Sequence, residues 1–94
     1  MALARVVSFD GVDAGRMAAM KQEMESGERP DNVPATEFIM LHDPSTDTAV
    51  AIVFFDSEAD YAMGDTALSA MPAGDTPGTR TSVTKYVVAA RMTA

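Results

Sequence analysis

The sequence has no cysteine and no tryptophan, and it holds a single histidine. Without cysteine there is no disulfide, no thiolate metal site and no cysteine nucleophile. The lone histidine, His42, leaves a zinc-type site short of nitrogen ligands, so no metal and no cofactor is expected. A chain without cysteine is compatible with a reducing cytosol, and a cytoplasmic location is the expectation. No run approaches the roughly 20 apolar residues of a membrane helix. Met1-Ala2-Leu3-Ala4-Arg5 lacks the basic start and apolar core of a signal peptide. Positive charge is also scarce. Seven Lys and Arg face fourteen Asp and Glu, for a net charge of −7, and the seven are spread singly along the chain. Nucleic-acid binding needs a basic stripe to neutralise phosphates, so neither a nucleic-acid nor a membrane partner is expected. There is no Gly-x-Ser-x-Gly and no Gly-rich phosphate loop, which leaves serine hydrolysis and nucleotide binding without support.

What is present is a chain of 94 residues, 47% of them hydrophobic. That suits a single folded domain over 1–94. Its most informative stretch is Ala49-Val50-Ala51-Ile52-Val53-Phe54-Phe55, an unbroken apolar run rich in β-branched and aromatic types. Successive side chains of a strand point to opposite faces. A strand that is apolar at every position needs cover on both.

Taken in order, residues 3–9 read as a first strand, with Leu3, Arg5, Val7 and Phe9 on one face, ended by Asp10-Gly11. Asp13 is a suitable N-cap for a helix over about 14–26, and Gly27 stands where a C′ glycine belongs. Met17, Met20 and Met24 recur at helical spacing, and core packing is the expectation for that stripe. Residues 28–35 carry two prolines and read as an extended connection; Asn32, the one asparagine, lies in it. Residues 36–42 form a second strand, apolar through Phe38, Ile39, Met40 and Leu41. Asp43-Pro44 opens a tight turn, so residues 48–55 return as the other arm of an antiparallel hairpin. Ser57 caps a second helix reaching about Met71 and stopped by Pro72. Gly64 weakens that helix by about 1 kcal/mol relative to alanine, and its reason would be a close approach to the sheet. Residues 72–79 are turn formers. A last strand is expected over 80–92.

The resulting order, β-α-β-β-α-β, is that of the ferredoxin-like α+β fold: a four-stranded antiparallel sheet with two helices on one face. Two helices cover only one face, yet the hairpin strands are apolar on both. A second copy packed sheet to sheet about a twofold axis is the simplest cover. The alternative is a monomer partly covered by the 72–79 loop and the termini.

Several stretches point the same way. They are Pro34-Ala35-Thr36-Glu37-Phe38 leading into the second strand, the Asp43-Pro44 turn, Phe54-Phe55-Asp56-Ser57-Glu58-Ala59-Asp60 between third strand and second helix, and the closing Thr84-Lys85-Tyr86-Val87-Val88. Through these and its element order, the chain resembles the dimeric α+β barrel superfamily, and within it the antibiotic biosynthesis monooxygenase-like proteins. The resemblance implies a homodimer with a pocket between sheet and helices for a small apolar or aromatic molecule. Cofactor-free monooxygenases of that family oxidise polycyclic phenols, with asparagine, tryptophan and arginine implicated in their pockets; here there is no tryptophan, and Asn32 lies in a loop. Haem-degrading relatives use a histidine on the second helix, where this chain has Tyr61, Met63 and Met71 instead.

No catalytic set follows from the residues. The polar groups expected to reach such a pocket are Arg5, Ser8, His42, Tyr61, Thr84 and Tyr86. Three of them have a plainer reading: His42 as a solvent-facing turn histidine, Tyr61 and Tyr86 as packed rings. Two functions are carried forward. One is a small homodimeric α+β barrel protein of undefined biochemical role, a binding or structural module with an apolar pocket between sheet and helices. The other is a cofactor-independent monooxygenase acting on an aromatic or polyketide-like substrate.

Overall fold

A computed structural model describes residues 2–27, 32–71 and 76–93. The element order is β1 (Leu3–Asp10), α1 (Ala14–Glu25), β2 (Glu37–Asp43), β3 (Thr48–Phe55), α2 (Glu58–Ser69) and β4 (Thr79–Val87). The strands form one antiparallel sheet in the order β2-β3-β1-β4. With both helices on one face, this is the ferredoxin-like α+β fold. The connections expected over 28–35 and 72–79 fall partly outside the described residues.

The local signals act as their chemistry dictates. The Asp13 carboxylate accepts from the Arg16 N–H at 2.8 Å, capping α1. Gly27, just past the Ser26 cap, has φ +81°, the left-handed conformation that favours glycine. Ser57 Oγ accepts from the Asp60 N–H at the start of α2. In the hairpin turn, Asp43 Oδ1 accepts from both the N–H and the hydroxyl of Ser45.

Register fixes the two faces of the sheet. Leu3, Arg5, Val7 and Phe9 pair with Phe55, Val53, Ala51 and Ala49 of β3, and Phe38, Met40 and His42 of β2 continue that face. This is the helix side. It holds two apolar clusters, one around Leu3, Val53, Phe55 and Tyr61, the other around Val7, Phe9, Val12 and Ala49. The opposite, outer face carries Val6, Val50, Ile52, Phe54, Ile39 and Leu41, with Leu41 52% exposed.

Three expectations need correction. The last strand ends at Val87, not Met92. It is an edge strand paired only with β1 among the described residues, and the last contact between the two is the Val88 N–H donating to the Ala2 carbonyl. The second helix ends at Ser69, capped by Ala70. The methionine stripe is not a closed core: α1 buries none of its residues, Met17 packs beside the Val7–Phe9 cluster, and Met20 and Met24 stand half-open.

Helix α2 lies close on the sheet because Gly64 has no side chain. A Cβ built there would collide with the Phe55 ring. Phe55 is fully buried and set edge-to-face against Tyr61, with centroids 5.4 Å apart, so the ring has nowhere to go. Gly64→Ala is therefore expected to lower stability by about 1–2 kcal/mol, overpacking outweighing the gain in helix propensity. Chemical denaturation measures it; a more stable variant would mean that α2 does not sit against Phe55.

Candidate functional site

Arg5 stands on β1, an inner strand, in register with Val53 of β3 on one side and Lys85 of β4 on the other, and is 3% exposed; the Lys85 ammonium is itself paired with Glu58. A buried charge is tolerated when it is paired and hydrogen-bonded. The partners come from α2: Arg5 Nε donates to Asp65 Oδ1 at 2.8 Å, and Nη2 donates to Ser69 Oγ at 3.3 Å. Asp65 and Ser69 are one helical turn apart, which places both on the same side of α2. The ion pair is lopsided, since the Asp65 side chain is 42% exposed while that of Arg5 is 4% exposed.

Arg5 is also part of the wall of a cleft of about 520 Å³ between the sheet's helix side and the helices. Val7, Phe9, Phe38, Met40, Ala51 and Val53 form its floor, Met20 and Met24 of α1 one wall, and Leu68 and Met71 the other. The lining is chiefly hydrocarbon. Glu23, Glu37 and Arg80 also contribute and are exposed. The cleft exists because α1 does not descend onto the sheet as α2 does.

Of the six polar groups expected to reach a pocket, Arg5 is in the described lining. Ser8, Thr84 and Tyr86 share a register on the outer face: Ala4 pairs with Tyr86, Val6 with Thr84 and Ser8 with Ser82. His42 lies on the helix side at the hairpin end of β2. Its Nε2–H donates to the Val12 carbonyl at 2.8 Å, while the Val12 N–H donates to the Asp47 carbonyl at 2.7 Å. The hairpin thus holds the β1–α1 loop through both polar groups of one buried residue. Tyr61 is buried on α2 against Phe55, and the Lys85 ammonium lies 4.9 Å from its ring centroid. Arg5, His42 and Tyr61 thus share a face of the sheet but not a common void.

Sequence reasoning passed over Asp65, Ser69 and the methionines as site residues. A signal for the first pair was present: a carboxylate on the Tyr61–Leu68 side of α2, and an arginine at a buried parity position of the first strand. Among the described residues, no group of three or more His, Asp or Glu is placed to hold a metal ion. None of the described helices is long and apolar enough to cross a membrane.

Fold and site together define a ferredoxin-like α+β protein with a cleft of ligand size. No family model matches the chain, and the searches of curated proteins and of solved structures return no match.

Burial raises the pKa of the Tyr61 phenol, and the nearby Asp65 carboxylate raises it further, with Arg5 and Lys85 opposing. The folded state therefore holds this proton more tightly than the unfolded chain. That stabilisation is complete below the ordinary tyrosine range and is lost as pH rises through the raised value. Tyr61→Phe, which has no proton to lose, should shrink the loss of stability above about pH 10. Urea midpoints at neutral and alkaline pH compare the two proteins, and equal alkaline losses would contradict the burial effect.

Proposed function

We propose that this protein is a homodimeric α+β barrel, of the kind formed by the antibiotic biosynthesis monooxygenase-like proteins, that holds a small apolar or aromatic molecule between sheet and helices. The cleft carries the reading. Its volume of about 520 Å³ lies within the roughly 300–1,000 Å³ of small-molecule sites. Its walls are chiefly apolar, with one buried guanidinium to orient an occupant.

Binding is favoured over reaction because the candidate acid–base groups are committed elsewhere. His42 spends its Nε2 proton on the Val12 carbonyl, and the Tyr61 ring is packed on Phe55. Cofactor-independent oxidation of an aromatic or polyketide-like substrate is the alternative use of the same cleft. Arg5 favours it, since a guanidinium beside a phenol stabilises the ionised, electron-rich form.

The homodimer rests on the outer face. Val6, Ile39, Val50, Ile52 and Phe54 remain half-buried on a single chain, Leu41 is 52% exposed and Tyr86 55% exposed. A contiguous apolar sheet face of this kind marks an interaction surface, and a twofold-related copy presents a complementary one.

An uncharged fluorescent dye, N-phenylnaphthylamine, tests the cleft. It should bind the protein, and Ala51→Phe, which fills the floor, should weaken binding about tenfold or more while leaving circular dichroism unchanged. Undiminished binding would place the dye elsewhere. The dimer is tested by sedimentation at low micromolar concentration, where a monomer would defeat it. Ile52→Asp, on the outer face, should give a folded monomer. Val53→Asp, 4% exposed on the helix side, should prevent folding by burying an unpaired charge. The same phenotype from both variants would mean that the faces are not distinct.

A further inference from the structure

Arg5 is held from one side only. A guanidinium has five N–H donors. Here Nε is bonded to Asp65 and Nη2 to Ser69, while Nη1 has no hydrogen-bond partner among the described residues. No buried side-chain nitrogen or oxygen is orphaned among them; the open donors of a residue only 3% exposed therefore sit where solvent reaches, and Arg5 lines the cleft. The other charged groups of the lining, Glu23, Glu37 and Arg80, are exposed and free to solvate. A planar cation with unused donors, set in a hydrocarbon floor, recognises an oxyanion.

We infer that the cleft takes an amphipathic organic acid: an apolar body lying along Phe38, Met40 and Met20, and a carboxylate-type anion on the free edge of Arg5. The inference rests on the cleft being a ligand site and adds to it the chemical class of the ligand. The Asp65 carboxylate is both the anchor of Arg5 and the rival of the ligand anion, because it neutralises the same guanidinium from its half-exposed position. Ser69 holds the second nitrogen in the plane that leaves Nη1 open.

The test uses decanoate and decanol, equal in chain length and different in charge, as competitors of the uncharged dye at neutral pH and below their micellar concentrations. Decanoate should displace the dye at about ten- to a hundredfold lower concentration than decanol, as a charge-assisted hydrogen bond in an apolar site provides. Arg5→Met keeps the volume and removes the charge, and the half-exposed Asp65 then returns to water; this variant should bind the two competitors alike. Asp65→Asn retains Arg5 without its rival and should improve decanoate several-fold with decanol unchanged. Circular dichroism checks that both variants fold, and the decanoate–decanol comparison in the native protein decides the inference by itself should either fail to. Equal displacement by decanoate and decanol in the native protein would overturn the inference and leave the cleft as an apolar binding site. So would a decanoate preference that survives Arg5→Met, or one that falls in Asp65→Asn. If neither the dye nor either competitor binds, the binding function itself fails, and the inference with it.

Discussion

The structure depends on how closely α2 lies on the sheet. Gly64 allows that approach, because any side chain there would enter the buried Phe55 ring. The next residue along, Asp65, is thereby brought to within 2.8 Å of the Arg5 guanidinium, and Ser69 follows one turn later. A glycine in a helix interior costs about 1 kcal/mol relative to alanine. An unpaired buried arginine would cost several. The glycine is thus the smaller term: it sets the height at which the larger one is satisfied. Tyr61, three residues earlier and on the same side of the helix, closes the contact from the other end by packing on Phe55.

Helix α1 has no equivalent of this contact. It is capped at both ends, yet none of its residues is buried; it is held by its own hydrogen bonds, by Met17 on the Val7–Phe9 cluster and by Arg16 Nη1 donating to the Pro77 carbonyl at 3.2 Å. One helix down and one helix raised leaves a wedge between them, and that wedge is the cleft. Unbranched, polarizable methionines at 20, 24, 40 and 71 line it. Such side chains change rotamer easily and adapt to different shapes, which is the property a wall needs if it faces an occupant rather than a fixed neighbour.

Much of this arrangement was legible in the sequence. The alternation of short β-rich runs with two capped helices gave the element order, and Asp13, Gly27, Ser57 and the Asp43-Pro44 turn marked boundaries through strictly local chemistry. Gly64 was legible too, as a helix weakener in need of a packing reason. The six polar candidates are a different matter. Parity along a strand says which residues share a face, but only register with neighbours says which face meets the helices. Ser8, Thr84 and Tyr86 thus lie opposite the cleft, on one face by pairing between strands distant in sequence. The end of β4 was hidden for a related reason: its residues keep strand character past Val87, and only its pairing with β1 shows where the ladder ends. The methionine stripe has the spacing of a core stripe whether or not a sheet presses against it, so periodicity alone did not distinguish a closed core from an open wall.

The two faces of the sheet pose opposite physical problems. The outer face is apolar along β2 and β3, with the Arg91 guanidinium over the Phe54 ring at one end; a second copy of the chain is the proposed partner for the rest. The helix side is apolar around a fixed cation. A net charge of −7 repels the acid proposed for it. Over distance, however, that repulsion is screened within about 8 Å at physiological ionic strength, and it is spread over a solvated surface. Arg5 acts at contact range inside a poorly solvated wall, where the same unit charge is worth several times more. The surface charge therefore slows the approach of an anion more than it weakens the bound state, and the balance at the floor of the cleft is decided locally, between the Asp65 carboxylate and whatever anion reaches the free edge of Arg5.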